Sequence, residues 1–210
     1  MCFVAVALNI SKNFPLILAA NRDEFFSRPA EPMTRWTENP GIIAGRDLNA
    51  GGTWLGLSQE GRFAALTNCG TDIVSRKPGR VSRGMIVRDF LLGHDDTLRD
   101  IESGALAHRS DYGGFNLIAG TPSKVSILSN VTLFHSSESS GVFVLSNCPP
   151  HIEWPKTRVG AKRFSELLRV SEGSGGKEGL KNALFEFLAD STPVAPFSKG
   201  RDDGALSSPL

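Results

Sequence analysis

The sequence predicts an α+β domain in which helices cover largely antiparallel sheets. Three observations point there. Short apolar segments bounded by Gly, Asn, Pro and Ser turns crowd the first part of the chain, segments with helical spacing dominate the last third, and no internal repeat breaks the order. With 210 residues, 40% of them hydrophobic, one domain spanning residues 1–210 has enough chain to bury a proper core.

The elements follow in order. Cys2 to Ile10 reads as a short apolar strand, Ser11-Lys12-Asn13 as a turn, and Pro15 to Ala20 as the return strand. Gly51-Gly52 opens a second hairpin, with strands Thr53 to Ser58 and Arg62 to Thr67 around the turn Gln59-Glu60-Gly61. Ser82 is placed to cap a helix carrying Met85, Ile86, Phe90 and Leu91 at helical spacing. Gly114 to Ala119 and Lys124 to Leu128 form strands joined by Thr121-Pro122-Ser123, and Gly141 to Leu145 forms another. Trp154-Pro155-Lys156 starts a helix with Pro in its first turn, marked by Val159, Phe164, Leu167 and Leu168. Leu180, Leu184, Phe187 and Leu188 mark a second, and residues 171–176 read as a flexible connection between the two.

Composition narrows the function classes. A formal net charge of +1 and the absence of a basic run give no electrostatic case for nucleic acid. No stretch approaches the eighteen or so apolar residues that a membrane helix needs. The apolar start lacks the charged leader of a signal peptide and is broken by Asn9, Ser11, Lys12 and Asn13. Cys2, Cys69 and Cys148 are an odd number without disulfide or metal spacing, so they read as free thiols and the expected location is cytoplasmic. No metal is expected.

Cys2 is the most informative residue. Removal of Met1 would leave a cysteine with a free α-amine of ordinary pKa about 7.7 to 8.0 beside a thiol of about 8.5, a nucleophile with its own base. From position alone, a small buried cysteine is the commoner case. The neighbouring residues change the balance. If the first turn centres near residue 12, antiparallel partners sum to roughly 24, setting Cys2 opposite Arg22 with Asp23 beside it. Asp23 could then orient the amine, and Arg22 could favour the thiolate or hold a substrate carboxylate. Asn68, at the end of the second hairpin, could donate to an oxyanion, although an Asn after a strand more often caps a turn. Gly51 and Gly52 suit a turn or the close approach of a ligand. Trp36 and Trp54 read as core or pocket-wall aromatics, and Asn116 as a strand residue bonded to a neighbouring loop. Lys156 or Arg158 could meet an anionic ligand, and His94, His108 and His135 read as surface residues.

Several separated blocks occur in one order: Met1-Cys2, Leu18 to Phe25 with Asn21-Arg22-Asp23-Glu24 at its centre, Ser27-Arg28-Pro29, Gly45-Arg46-Asp47, Gly51 to Gly56, Ala64 to Asn68, Gly114 to Ile118 and Leu145-Ser146-Asn147. Together they resemble the NRDE family, also called transport and Golgi organisation protein 2, over about three quarters of the chain. The resemblance implies the four-layered αββα fold of amino-terminal nucleophile hydrolases, with a distant likeness to penicillin V acylase and bile salt hydrolase. Those acylases use an amino-terminal Cys, an Asp after the second strand and two later Asn residues, which fall on Cys2, Asp23, Asn68 and Asn147 here. Asn21, Arg22, Gly52 and Trp54 are the residues expected to meet substrate. Two departures stand out. Arg22 is adjacent to Asp23 rather than a few residues before it, and the Tyr-Gly-Thr-Arg strand of the family does not appear before Leu210, so a shortened sheet or a missing substrate Arg is expected.

The activity implied is hydrolysis of a non-peptide amide bond in a small molecule, with no cofactor. The resemblance also implies a different class, a non-catalytic carrier with a part in haem trafficking or Golgi organisation, with the Golgi or a mitochondrion as the associated organelle. Haem would then be cargo, and Cys148-Pro149 with His151 offers one handle for its iron, although a turn after a strand is the commoner meaning of such a pair.

Overall fold

Strand β1 (Phe3–Leu8) is buried along its entire length because both of its faces are covered. Phe3, Ala5 and Ala7 join one apolar cluster, while Val4, Val6 and Leu8 join another. Side chains alternate across a strand, so an uninterrupted apolar run marks a layer with neighbours on both sides. The structure is a computed structural model and describes residues 2–70, 80–152, 154–171 and 176–192.

Two antiparallel sheets stack. The smaller has β1 at its centre, flanked by β2 (Leu16–Asn21) and β10 (Gly141–Leu145). The larger runs in chain order through β3 (Ala30–Arg35), β4 (Ile42–Asp47), β5 (Leu55–Ser58), β6 (Phe63–Asn68), β7 (Phe115–Thr121), β8 (Lys124–Ser129) and β9 (Phe134–Glu138). Val4, Val6 and Leu8 meet Phe63, Ala65, Ile118, Val125 and Ile127 between the sheets. The opposite face of the larger sheet, including Ala64, Leu66, Leu117 and Ala119, is covered by α1 (Gly84–Leu92), α2 (Asp95–Glu102) and a 3-10 turn at Ala105–His108. Phe3, Ala5, Ile17 and Ala19 on the outer face of the smaller sheet pack on Phe164 and Leu168 of α3 (Pro155–Ser171) and Leu180 and Phe187 of α4 (Gly176–Ala189). The layers are therefore helix, sheet, sheet, helix, as the resemblance implies. Fully buried Phe3, Phe63, Phe115 and Phe164 anchor the cores, each worth about 1.5–3 kcal/mol of transfer free energy.

The first hairpin has the predicted register. Phe3 pairs with Asn21 and Val4 with Ala20, and the Asn9 N–H donates to the Pro15 carbonyl at 2.8 Å to close the turn. Extending that ladder by one pair sets Cys2 against Arg22. Pro155 does begin α3. Ser82 is not the cap expected of it: Arg83 holds the N-cap position without a side-chain bond, and Ser82 offers its main-chain carbonyl to the Met85 N–H at 3.1 Å. His135 belongs to β9 and is half-buried rather than the surface residue expected, its ring lying where a Cβ on Gly104 would sit.

Strands β3, β4 and β9 and helix α2 escape the sequence pattern. All six residues of β3 are exposed, and its pairing with β4 shifts between Glu31 and Thr34, around Pro32. The proposed flexible connection at residues 171–176 and the missing carboxyl-terminal strand fall wholly or largely outside the described residues. Among the described residues no helix is long and apolar enough to cross a membrane.

Candidate active site

Antiparallel pairing gathers the start of β1 and the ends of β2 and β10 at one edge of the smaller sheet. Continuing the β1–β10 register beyond Val4 and Leu145 brings Asn147 alongside Cys2 on one flank, while Arg22 lies on the other. In the larger sheet β6 ends at the same edge, so Asn68 arrives from the second layer. Cys2 shares the parity of Val4 and Val6, so its side chain belongs to the face between the sheets.

A cleft of about 340 Å³ opens there. Cys2, Arg22, Asp23, Trp54 and Asn68 line it, so five of the eight expected site residues come together. The Cys2 thiol is buried, 8% exposed, at the cleft wall, and its S–H donates to the main-chain carbonyl of Asp23 at 3.8 Å. Burial pushes this thiol above its ordinary value; Arg22 and Lys156 pull against that shift and Glu24 adds to it. A thiol held protonated in this way needs a base to become a nucleophile.

Asn147 stands behind the lining, 7% exposed. Its Nδ2 donates to the main-chain carbonyl of Asn68 at 2.8 Å, and among the described residues its buried Oδ1 has no hydrogen-bond partner. Asn147 therefore ties the ends of β6 and β10 together directly beside Cys2. Lys156 is also buried near Cys2, with Nζ 6.0 Å from the centroid of the Phe3 ring, and desolvation lowers its pKa while Cys2 opposes that shift.

Two expected site residues do other work. Asn21 has the parity of Ala19 and faces the helices, where its Nδ2 donates to the Leu188 carbonyl of α4 at 2.7 Å. At Gly52 the close approach is made by a helix: an added Cβ would lie 2.5 Å from the main-chain carbon of Gly84 at the start of α1. Neither lines the cleft.

The sequence reading missed most of the outer wall. Arg28 binds Asp47, with Nη2 2.6 Å and Nε 2.7 Å from one carboxylate oxygen, and this ion pair joins the loop after β2 to the end of β4. Burial raises the Asp47 carboxyl, but the Arg28 bond and the N–H groups of Ala50 and Asn49 outweigh it and hold the pKa below its usual value. Arg46 stacks 4.3 Å over the Trp36 ring and pairs with Glu38. Arg22 pairs with Glu24 at 3.4 Å. Among the described residues of the wall, Arg22, Arg28, Arg46 and Arg83 are matched in number by Asp23, Glu24, Glu31 and Asp47. Ser27-Arg28-Pro29 and Gly45-Arg46-Asp47 stood out as blocks, but their pairing depends on β3 and β4, whose pattern is unreadable.

The family profile described as Transport and Golgi organisation 2 matches residues 1–207. This chain belongs to that family. It is 32% identical over 207 residues to the mouse Transport and Golgi organization 2 homolog, covering 93% of this chain and 73% of the relative, and the human homolog matches to the same extent. The Drosophila melanogaster protein is 32% identical over 193 residues, covering 83% of this chain and 66% of its own. A solved Caenorhabditis elegans N-acylethanolamine-hydrolyzing acid amidase ortholog superposes with a TM-score of 0.55 at 11% identity, over 96% of this chain and 88% of that one. This chain thus has the amino-terminal nucleophile hydrolase fold.

Proposed function

We propose that this protein is an amino-terminal cysteine hydrolase acting on the non-peptide amide bond of a small molecule after removal of Met1. The observation that carries the reading is the meeting of Cys2, Asp23 and Asn68 at one cleft, at the sheet edge where residue 2 becomes the terminus. Asp23 orients the freed α-amine, which takes the thiol proton as sulfur bonds to the carbonyl carbon. Asn68 donates to the resulting oxyanion, held in place by Asn147. The ammonium returns its proton to the departing nitrogen as the C–N bond breaks. Water, deprotonated by the same amine, then adds to the thioester carbon, and as the C–S bond breaks the ammonium returns that proton to the sulfur, releasing the acid and restoring the thiol. Trp54 and Arg22 form the wall against which the substrate is held. The balanced charges of the cleft's described residues suit an uncharged amide better than a polyanion.

The test is covalent labelling by an amide-mimetic electrophile. The parent protein is expected to be labelled at Cys2, faster as the pH rises and the thiol ionises, and Cys2→Ala is expected to lose that label. Equal labelling of the two proteins would remove Cys2 from the mechanism. Intact mass is a further check, because a retained Met1 would block the amine.

The carrier reading, with haem as cargo or a part in Golgi organisation, finds no such support at Cys148. Burial pushes that thiol up to about 12, so it stays protonated at neutral pH, and His151 sits in a surface turn with its Nδ1 3.5 Å from Thr132 Oγ1. A Soret shift on haem titration that Cys148→Ala abolishes would favour the carrier.

A further inference from the structure

Behind the cleft, polar side chains from two neighbouring strands, β6 and β7, converge on one carbonyl. Thr67 Oγ1 donates to the Ser146 main-chain oxygen at 2.6 Å, and Asn116 Nδ2 donates to the same oxygen at 2.8 Å. Asn116 uses its second N–H on the Cys148 carbonyl at 2.7 Å. The Ser146 hydroxyl in turn donates to the main-chain oxygen of Cys2 at 2.7 Å. Thr67, Asn116 and Ser146 are completely buried.

Parity makes this arrangement unexpected. Thr67 and Asn116 share their faces with Phe63, Ala65 and Ile118, so the pattern calls for apolar residues at both positions. Polar groups in such a place cost stability unless they are bonded, and apolar residues would hold the sheets together as well. What apolar residues could not do is grip the main chain of residue 2. Cys2 lies one residue before β1, where the ladder with β2 ends. Fixing its carbonyl plane fixes the position of Cα and the line of the Cα–C bond, the axis about which the amine and the thiol turn.

We propose that Ser146, braced by Thr67 and Asn116, is a positioning residue for Cys2, setting the peptide plane from which the processed terminus presents its amine and thiol to the cleft. Its catalytic consequence rests on the amide-hydrolase reading. The segment also reaches the oxyanion side, since Asn147 follows Ser146 directly and holds the Asn68 main chain.

The experiment uses the full chain with Met1 removed, verified by intact mass. It compares the parent with Ser146→Ala, Thr67→Val and Thr67→Ser. The first readout is iodoacetamide alkylation of Cys2, resolved by peptide mass spectrometry across the neutral to alkaline range. The second is steady-state hydrolysis of a panel of fluorogenic aryl amides. Ser146→Ala and Thr67→Val are expected to slow alkylation and displace its pH midpoint, while Thr67→Ser, which keeps the hydroxyl, behaves as the parent. For the amide panel, kcat is expected to fall by up to about 100-fold with KM unchanged, the size of a misplacement of about 1 Å. Parental alkylation profiles in both hydroxyl-deleted variants would overturn the proposal, as would losses that only track the unfolded fraction seen by circular dichroism. If Ser146→Ala does not fold, the Thr67 pair decides. Hydrolysis that survives in Cys2→Ala would end the amide-hydrolase reading, while the alkylation comparison would still decide the positioning role.

Discussion

A methyl group at residue 52 would lie 2.5 Å from the main-chain carbon of Gly84 and 2.7 Å from its oxygen. Main chain cannot step aside as a flexible side chain can, so Gly52→Ala must push α1 away from the loop that precedes β5. The expected cost is about 1–3 kcal/mol, read as a lower midpoint in urea unfolding. A variant with parental stability but altered KM would instead make Gly52 a ligand contact. Cys148 gives a second prediction at this scale. Burial, with Cys69 adding to it, raises this thiol from 9.0 to about 12. The unfolded thiol loses its proton first, so the folded state binds more protons between those values. The contribution is complete below 9.0 and is lost as the pH climbs towards about 12. Over that window the melting temperature of Cys148→Ala should fall less steeply than the parent's. Parallel slopes would show that the thiol titrates alike in both states.

The helical layer of α3 and α4 is pinned by aromatic rings. Phe164 of α3 and Phe3 of β1 both lie 5.7 Å from Phe187 of α4, so one α4 residue joins three elements. Phe164→Ala empties a fully buried site in this cluster and should cost about 3–5 kcal/mol in urea unfolding. A loss below about 1 kcal/mol would mean that the layer collapses into the space. The elements readable from sequence are those with a covered face. Apolar spacing at Ile86, Phe90 and Leu91 gave α1, and Val159, Phe164 and Leu168 gave α3, because each row meets a sheet. β3 has no covered face, so alternation had nothing to record. α2 has Leu98 and Ile101 against four acidic residues, too little for a period.

At the scale of the molecule, the site was legible as far as local pairing carried it. The register around Ser11-Lys12-Asn13 follows from one tight turn, so the placing of Cys2 against Arg22 needed only the first hairpin. Asn68 was found as a strand end. The Arg28–Asp47 pair and the Thr67–Asn116–Ser146 convergence join residues 19 to 79 positions apart, through strands whose order no local pattern fixes. β3, at the margin of the larger sheet, has one more consequence. An incoming polypeptide seeking to zip onto it would meet no amide hydrogen at Pro32, a dislocated ladder beyond Glu31, and ionic side chains at Glu31 and Arg35. A wide sheet with a bare border is the usual seed of fibrils, and these few residues blunt that hazard under cellular crowding.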